Sequence, residues 1–162
     1  MDDAFKKFDL TGKTALVTGG ATGIGYYMTR GLMRSGAKVM IASRKESVLK
    51  EAAAKLRSES EAGEILYHTV DLGDRGSIQG LVDHCNKTMG GVDVFIGNAG
   101  IDIFEKIEAI QDDSIDHLLQ VNLSANVELM RAFVPRMRER KWGRIVFSSS
   151  VSSLQSTAQE GM

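Results

Sequence analysis

The stretch TGGATGIG, residues 18–25, decides how the rest of the chain is read. Gly19, Gly23 and Gly25 fall in the pattern G-x-x-x-G-x-G. An apolar run, KTALVT (13–18), leads into them and predicts a buried strand. Behind them Ile24, Met28, Leu32 and Ser35 recur at helical spacing, and Gly36 suits the position just past a helix end. Glycines between a strand and a helix permit a sharp turn and let a pyrophosphate approach the backbone. The helix start adds N–H donors and a partial positive charge. In this strand–turn–helix setting the loop points to a dinucleotide site, with a turn needed only for packing as the alternative.

Outward from the loop the same rhythm repeats. KVMIAS (38–43) reads as a second strand, and the Ala, Glu, Lys and Leu of 46–60 as a helix. EILYHTVDL (64–72) reads as a third strand. A helix over about 75–89 follows, with Ile78, Leu81, Val82 and Cys85 on one face. VDVFIGNAG (92–100) is a fourth strand running into a turn. A long helix begins with Asp113 or Ser114 as cap and carries Ile115, Leu118, Leu119, Asn122, Leu129, Met130 and Phe133. Pro135 should kink or end it. Arg136, Arg138, Arg140 and Lys141 at its far end suit the helix dipole and solvent. WGRIVFSS (142–149) is a fifth strand.

Strands alternating with helices predict an α/β fold with a doubly wound parallel sheet of the Rossmann type, five strands in order 3-2-1-4-5 and helices on both faces. The continuous apolar strands agree, because such a sheet is covered on both sides. No linker, repeat or second domain is visible, so one dinucleotide-binding domain over 1–162 is expected.

Composition excludes several classes. Lys plus Arg number 20 and Asp plus Glu 21, a net charge of −1, which gives no electrostatic reason for a nucleic acid or an anionic membrane as partner. No apolar run approaches the roughly 20 residues of a membrane span. MDDAFKKFDLTGK has no apolar signal core, so a cytoplasmic location is the expectation. Cys85 is the sole cysteine, and His68, His84 and His117 lack metal-ligand spacing, so no metal site is expected.

TGGATGIG resembles the cofactor fingerprint of the short-chain dehydrogenase/reductase family. GNAG (97–100) resembles that family's Asn-Asn-Ala-Gly turn, with Gly97 in place of the first Asn. Asp71, Asn122 and GRIVFSSS fall at matching places, and the likeness runs over the N-terminal two-thirds of a family member. It implies cofactor contacts at Thr18, Gly19, Thr22, Gly23, Ile24 and Gly25. Further contacts are implied at Ser43 and Arg44, at Asp71 and Leu72, and at Asn98, Ala99 and Gly100. Asp71 is by its residues equally a turn former, and Asn98 a plain turn residue.

The end of the second strand carries Ser43, Arg44 and Lys45 and no acidic residue to accept bonds from an NAD ribose. A guanidinium suits the 2′-phosphate of NADP, so NADP(H) is favoured and NAD(H) remains possible. Thr22 departs from the basic residue that NADP-preferring relatives often carry there. A solvated Arg–Lys pair is the alternative.

The family moves hydride between a nicotinamide and a small-molecule carbonyl or alcohol, with a Tyr as acid–base and a Lys four residues later as its partner. Ser150 matches the family's substrate-binding Ser, with Ser148 and Ser149 as neighbouring registers, and Asn122 matches its helix Asn. The sequence stops at Met162, just short of where the Tyr would fall. Tyr26, Tyr27 and Tyr67 lie elsewhere and have no Lys four residues on. The expectation is therefore a form truncated relative to the family, inactive alone, whose fifth strand is an open edge prone to self-association. Full-length relatives imply a homo-oligomer. The competing readings are a non-catalytic nucleotide-binding or interaction module and a fragment with no function of its own.

Overall fold

A computed structural model describes residues 8–60 and 62–150. The serine-rich segment after Ser150 lies outside them. Five strands form one parallel sheet: β1 (Thr14–Thr18), β2 (Lys38–Ser43), β3 (Glu64–Thr69), β4 (Val94–Gly97) and β5 (Arg144–Phe147), in order β3-β2-β1-β4-β5. The expected strand order is the observed one.

Alternation along each strand builds two cores. Leu16 stands beside Met40 on β2 and Phe95 on β4. All three point to the face covered by α3 (Arg75–Met89) and α5 (Ala125–Glu139), where Leu81, Cys85, Leu129 and Phe133 meet them. Phe95 and Phe133 pack edge to face with ring centres 6.0 Å apart, a favoured aromatic geometry. The intervening Ala15, Val17, Val39, Ile41 and Ile96 face α1 (Gly23–Arg34) and α2 (Glu46–Glu59), against Met33, Leu49 and Leu56. The helices α1 and α2, before β3, and α3 and α5, after it, thus cover opposite faces, and the strand order reverses between β1 and β4, the switch point at whose C-terminal end the crevice lies.

Local chemistry sets the helix ends. Asp74 caps α3 by accepting from the amides of Gly76 and Ser77 at 2.9 and 3.2 Å. Gly90 ends it in the left-handed region (φ 69°), and Gly36 does the same after α1 (φ 89°).

Several boundaries differ from the sequence reading, and the fourth and fifth strands are shorter than 92–100 and 142–149, at Val94–Gly97 and Arg144–Phe147. The third strand stops at Thr69, because Asp71 folds the chain back, accepting from Gly73 N and Asp74 N. The long helix starts at Asp112, with the Gln111 carbonyl accepting from Ser114 and Ile115. Asp113 and Ser114 are inside the first turn rather than capping it. Asp112 and Asp113 there complement the helix dipole. Finally, α5 continues past Pro135 to Glu139. The ring's missing donor leaves only an exposed turn short of one bond. α4 (Asp112–Leu119) joins α5 through a π-helical turn, Gln120–Ser124. Among the described residues β5 pairs only with β4, and Val146 and Phe147 are 47% and 44% exposed.

Candidate functional site

A cleft of about 180 Å³ opens at the C-terminal ends of β1 to β4. Its walls bring together Gly19, Ser43, Arg44, Asp71, Leu72, Ala99 and Gly100 from the sequence-derived set. Ala42, Val70, Ile101 and Val121 also line it and were not anticipated. Their side chains are apolar and unremarkable in sequence; only the strand register brings them together.

The glycine loop is held at both ends. Gly19 takes a positive φ of 66° and donates to the Ala42 carbonyl at 2.8 Å. A Cβ on Gly25 would collide with the Gly19 carbonyl oxygen, so the first turn of α1 lies directly on the loop. Gly20, not singled out in the sequence, is equally confined: its Cβ would meet Ile41 at 2.7 Å and the Thr29 hydroxyl at 2.8 Å. Gly23 faces open space with φ 51°. No side chain caps α1 at Thr22, and its first turn has no acidic residue. Its leading amides are therefore left for another acceptor. Thr22 and Gly23 also border a second groove, between α1 and α2, and Ile24 is 70% exposed beside them.

Thr18 and Asn98 brace the loop from below. The Thr18 hydroxyl accepts from the amides of Asn98 and Ala99 at 3.1 and 3.3 Å. Asn98 Nδ2 donates to the Thr18 and Gly19 carbonyls at 3.2 and 3.3 Å, and its Oδ1 accepts from Ser148 Oγ at 3.0 Å. One amide therefore ties β1, β4 and the end of β5 together.

Arg44 is exposed at the rim and makes no ion pair among the described residues. Asp71 lines the cleft and uses Oδ1 on the Gly73 amide at 2.9 Å. Asn122 spends its side chain on the backbone of one residue: Oδ1 accepts from Ile101 N at 2.9 Å and Nδ2 donates to Ile101 O at 2.8 Å. It fixes the cleft wall rather than facing the cleft. Ser150 follows β5, two residues past the Ser148 that bonds Asn98. Tyr26 and Tyr27 lie on α1 and Tyr67 on β3, the opposite edge strand from β5. Among the described residues no cluster of three or more acidic, His or Cys side chains could hold a metal. No helix among them is long and apolar enough to cross a membrane.

The family model for short chain dehydrogenase matches residues 13–162, and the chain belongs to that family. It is 29% identical to the D-beta-hydroxybutyrate dehydrogenase of Cupriavidus necator over 93% of this chain and 58% of that protein. It is 33% identical to the ketoacyl reductase HetN of a Nostoc species, over 92% and 51% respectively. Among solved structures, a metagenomic short-chain oxidoreductase in complex with NADP superposes with a TM-score of 0.87 at 30% identity. That match covers 94% of this chain and 69% of the other. L-sorbose reductase from Gluconobacter frateurii, complexed with NADPH and L-sorbose, gives 0.87 at 29% identity, over 94% and 58%. The chain spans 44% to 58% of the length of the curated relatives it matches.

Proposed function

We propose that the whole protein is an NADP(H)-dependent oxidoreductase that interconverts a small-molecule carbonyl and an alcohol. The observation that carries this reading is the position of Arg44: it stands just past the end of β2 on the cleft rim, with no ion pair among the described residues and no carboxylate on its own strand. The residues fit a dinucleotide. The loop packs so closely that a Cβ at Gly25 would strike it, and this keeps backbone amides at the surface where a diphosphate would lie.

In this reading the amides of Gly19 to Gly25 hold the diphosphate, and Ser43 and Arg44 hold the 2′-phosphate. The Asp71 carboxylate accepts from the adenine amino group, beside the Leu72 backbone. Thr18, Asn98, Ala99 and Gly100 support the nicotinamide half. Ser150 donates to the substrate oxygen and so stabilises charge developing there, while Asn122 keeps the Ile101 wall in place. The bound cofactor supplies or accepts the hydride. A homo-oligomer and a cytoplasmic location belong to the same proposal, as does one continuous domain over 1–162.

Fluorescence titration with NADPH and NADH tests it. NADPH is expected to bind tighter by about tenfold to a hundredfold, the range of hydrogen bonds to a charged group. Arg44→Asp should reverse or erase that ratio. Equal affinities in the unmodified protein, or a ratio that Arg44→Asp does not move, would sink the assignment.

A further inference from the structure

We propose that Asn126 is a positioning residue for the dinucleotide cleft, acting through Asn122 and Ile101. The proposal rests on the nucleotide-binding reading above. A π-helical turn interrupts the regular backbone ladder. At the turn Gln120–Ser124 the side chain of Asn126 reaches the Asn122 carbonyl, to which its Nδ2 donates at 2.9 Å. Asn122 in turn holds the Ile101 backbone by both its N–H and its C=O. Ile101 lines the cleft beside Ala99 and Gly100. Three residues therefore transmit the geometry of a helix turn to one wall of the site.

The other end of the Asn126 amide shows why packing alone does not account for it. Oδ1 is buried and has no hydrogen-bond partner among the described residues, an unfavourable state that a leucine of similar shape would avoid. That oxygen lies against Gly97 at the end of β4, so closely that a Cβ on Gly97 would overlap it. The Phe147 ring on β5 closes the same space, 2.6 Å from that Cβ position. Gly97 is thus the residue that admits Asn126. The amide that the Asn-Asn-Ala-Gly turn would carry on the strand enters this space from α5 instead. Retaining a half-satisfied amide here is explained by the bond its nitrogen makes to the turn.

Amide hydrogen exchange in the full chain, with NADPH titration, tests the proposal. Ile101 N–H is bonded to the Asn122 side chain, so its exchange reports directly on the link. Asn126→Leu keeps the shape and removes the donor. Ile101 exchange should accelerate by about tenfold, while the Leu16 and Val17 amides in β1 keep their protection. NADPH affinity should fall by about threefold to tenfold. Asn126→Ala, which cannot clash, serves the same purpose should leucine not be accommodated. Unchanged exchange at Ile101, or faster exchange with unaltered NADPH affinity, overturns the role given to Asn126. An unmodified protein that binds no NADPH overturns the nucleotide reading and this role with it. That failure differs visibly from one in which only the variants behave as the parent.

Discussion

Arg140 Nη1 donates to Asp93 Oδ1 at 2.8 Å, which joins the end of α5 to the start of β4 across the bottom of the sheet. The second carboxylate oxygen of Asp93 accepts from the Thr14 amide at 3.1 Å and lies 3.2 Å from the Thr14 hydroxyl. A carboxylate only 2% exposed therefore fastens β1, β4 and α5 together, at the end of the sheet opposite the cleft.

Burial alone would raise the Asp93 pKa, but the Thr14 amide, Arg140 and the Thr14 hydroxyl outweigh it and hold the carboxyl below its usual range. A carboxylate depressed in the folded state adds stability above its unfolded pKa, near 3.9, and loses it as pH falls through the lower folded value. Asp93→Asn should cost about 1–3 kcal/mol at neutral pH. It should also flatten the loss of stability below about pH 4. Arg140 is half exposed, so Arg140→Ala should cost less, about 1 kcal/mol. Urea unfolding at pH 7 and pH 3 measures both. An Asp93→Asn protein as stable as its parent at pH 7 would contradict this account.

Two glycines on α1 should respond to alanine with opposite signs. A Cβ at Gly25 meets the Gly19 carbonyl and Asn98, backbone and bracing amide that cannot withdraw without opening the loop. Gly25→Ala should therefore cost about 1–3 kcal/mol as overpacking and abolish nucleotide binding. At Gly31, on the same helix, nothing lies within 4 Å of an added Cβ and the backbone is helical. Gly31→Ala should stabilise by about 0.5–1 kcal/mol. Thermal melts of the two variants decide the matter, and a destabilised Gly31→Ala would show that α1 is not packed as described.

The strand–loop–helix around residues 18–25 was legible because its signals are local: an apolar run, glycines at fixed spacing, then helical periodicity. The parallel sheet followed from the strand–helix alternation, and its order from reading the glycine loop as a Rossmann-type site, since alternation alone fits more than one order. Asp93 and Arg140 were not legible as a pair, since 47 residues separate them and only the docking of α5 on the sheet brings them together. Arg140 read as one more cation suited to a helix end. Asn122 was singled out, but its partner Ile101 carries no polar side chain to betray the bond, and Asn126 gives no signal in a helix of mixed polarity. Gly97 looked like a departure from a motif; its reason lies in the Asn126 amide and the Phe147 ring that close over it. The helix cap was misplaced because two acidic residues and a serine follow Gln111, and spacing alone cannot say which carbonyl starts the ladder.

His68 on β3 and His84 on α3 stack at 4.3 Å with rings 20° apart. Burial first, and the neighbouring His84 second, lower the His68 pKa. Protonation then favours the unfolded chain. The stability contributed is whole above the ordinary histidine value near 6.5 and is lost as pH falls from there through the lower folded value. NMR titration should place His68 below 6.5, and His84→Gln should move it upward while making the decline of stability on acidification shallower. A His68 that titrates at or above its ordinary value would refute the stacking effect.

Cys85 is fully buried on α3 among Leu16, Phe95 and Leu129, and burial pushes its thiol up to about 12. The thiolate is the nucleophile, so at pH 8 both the low thiolate fraction and the lack of access keep the sulfur inert. Ellman's reagent should leave the folded protein unmodified over minutes and should react with one thiol per chain in concentrated urea. Because α3 must part from the sheet before the sulfur is reached, the slow native reaction should follow the opening of that helix and slow further in Cys85-containing variants that stabilise the core. Rapid labelling of the folded protein would mean that α3 opens without unfolding the sheet, and would place the weakest seam of the fold between α3 and β4.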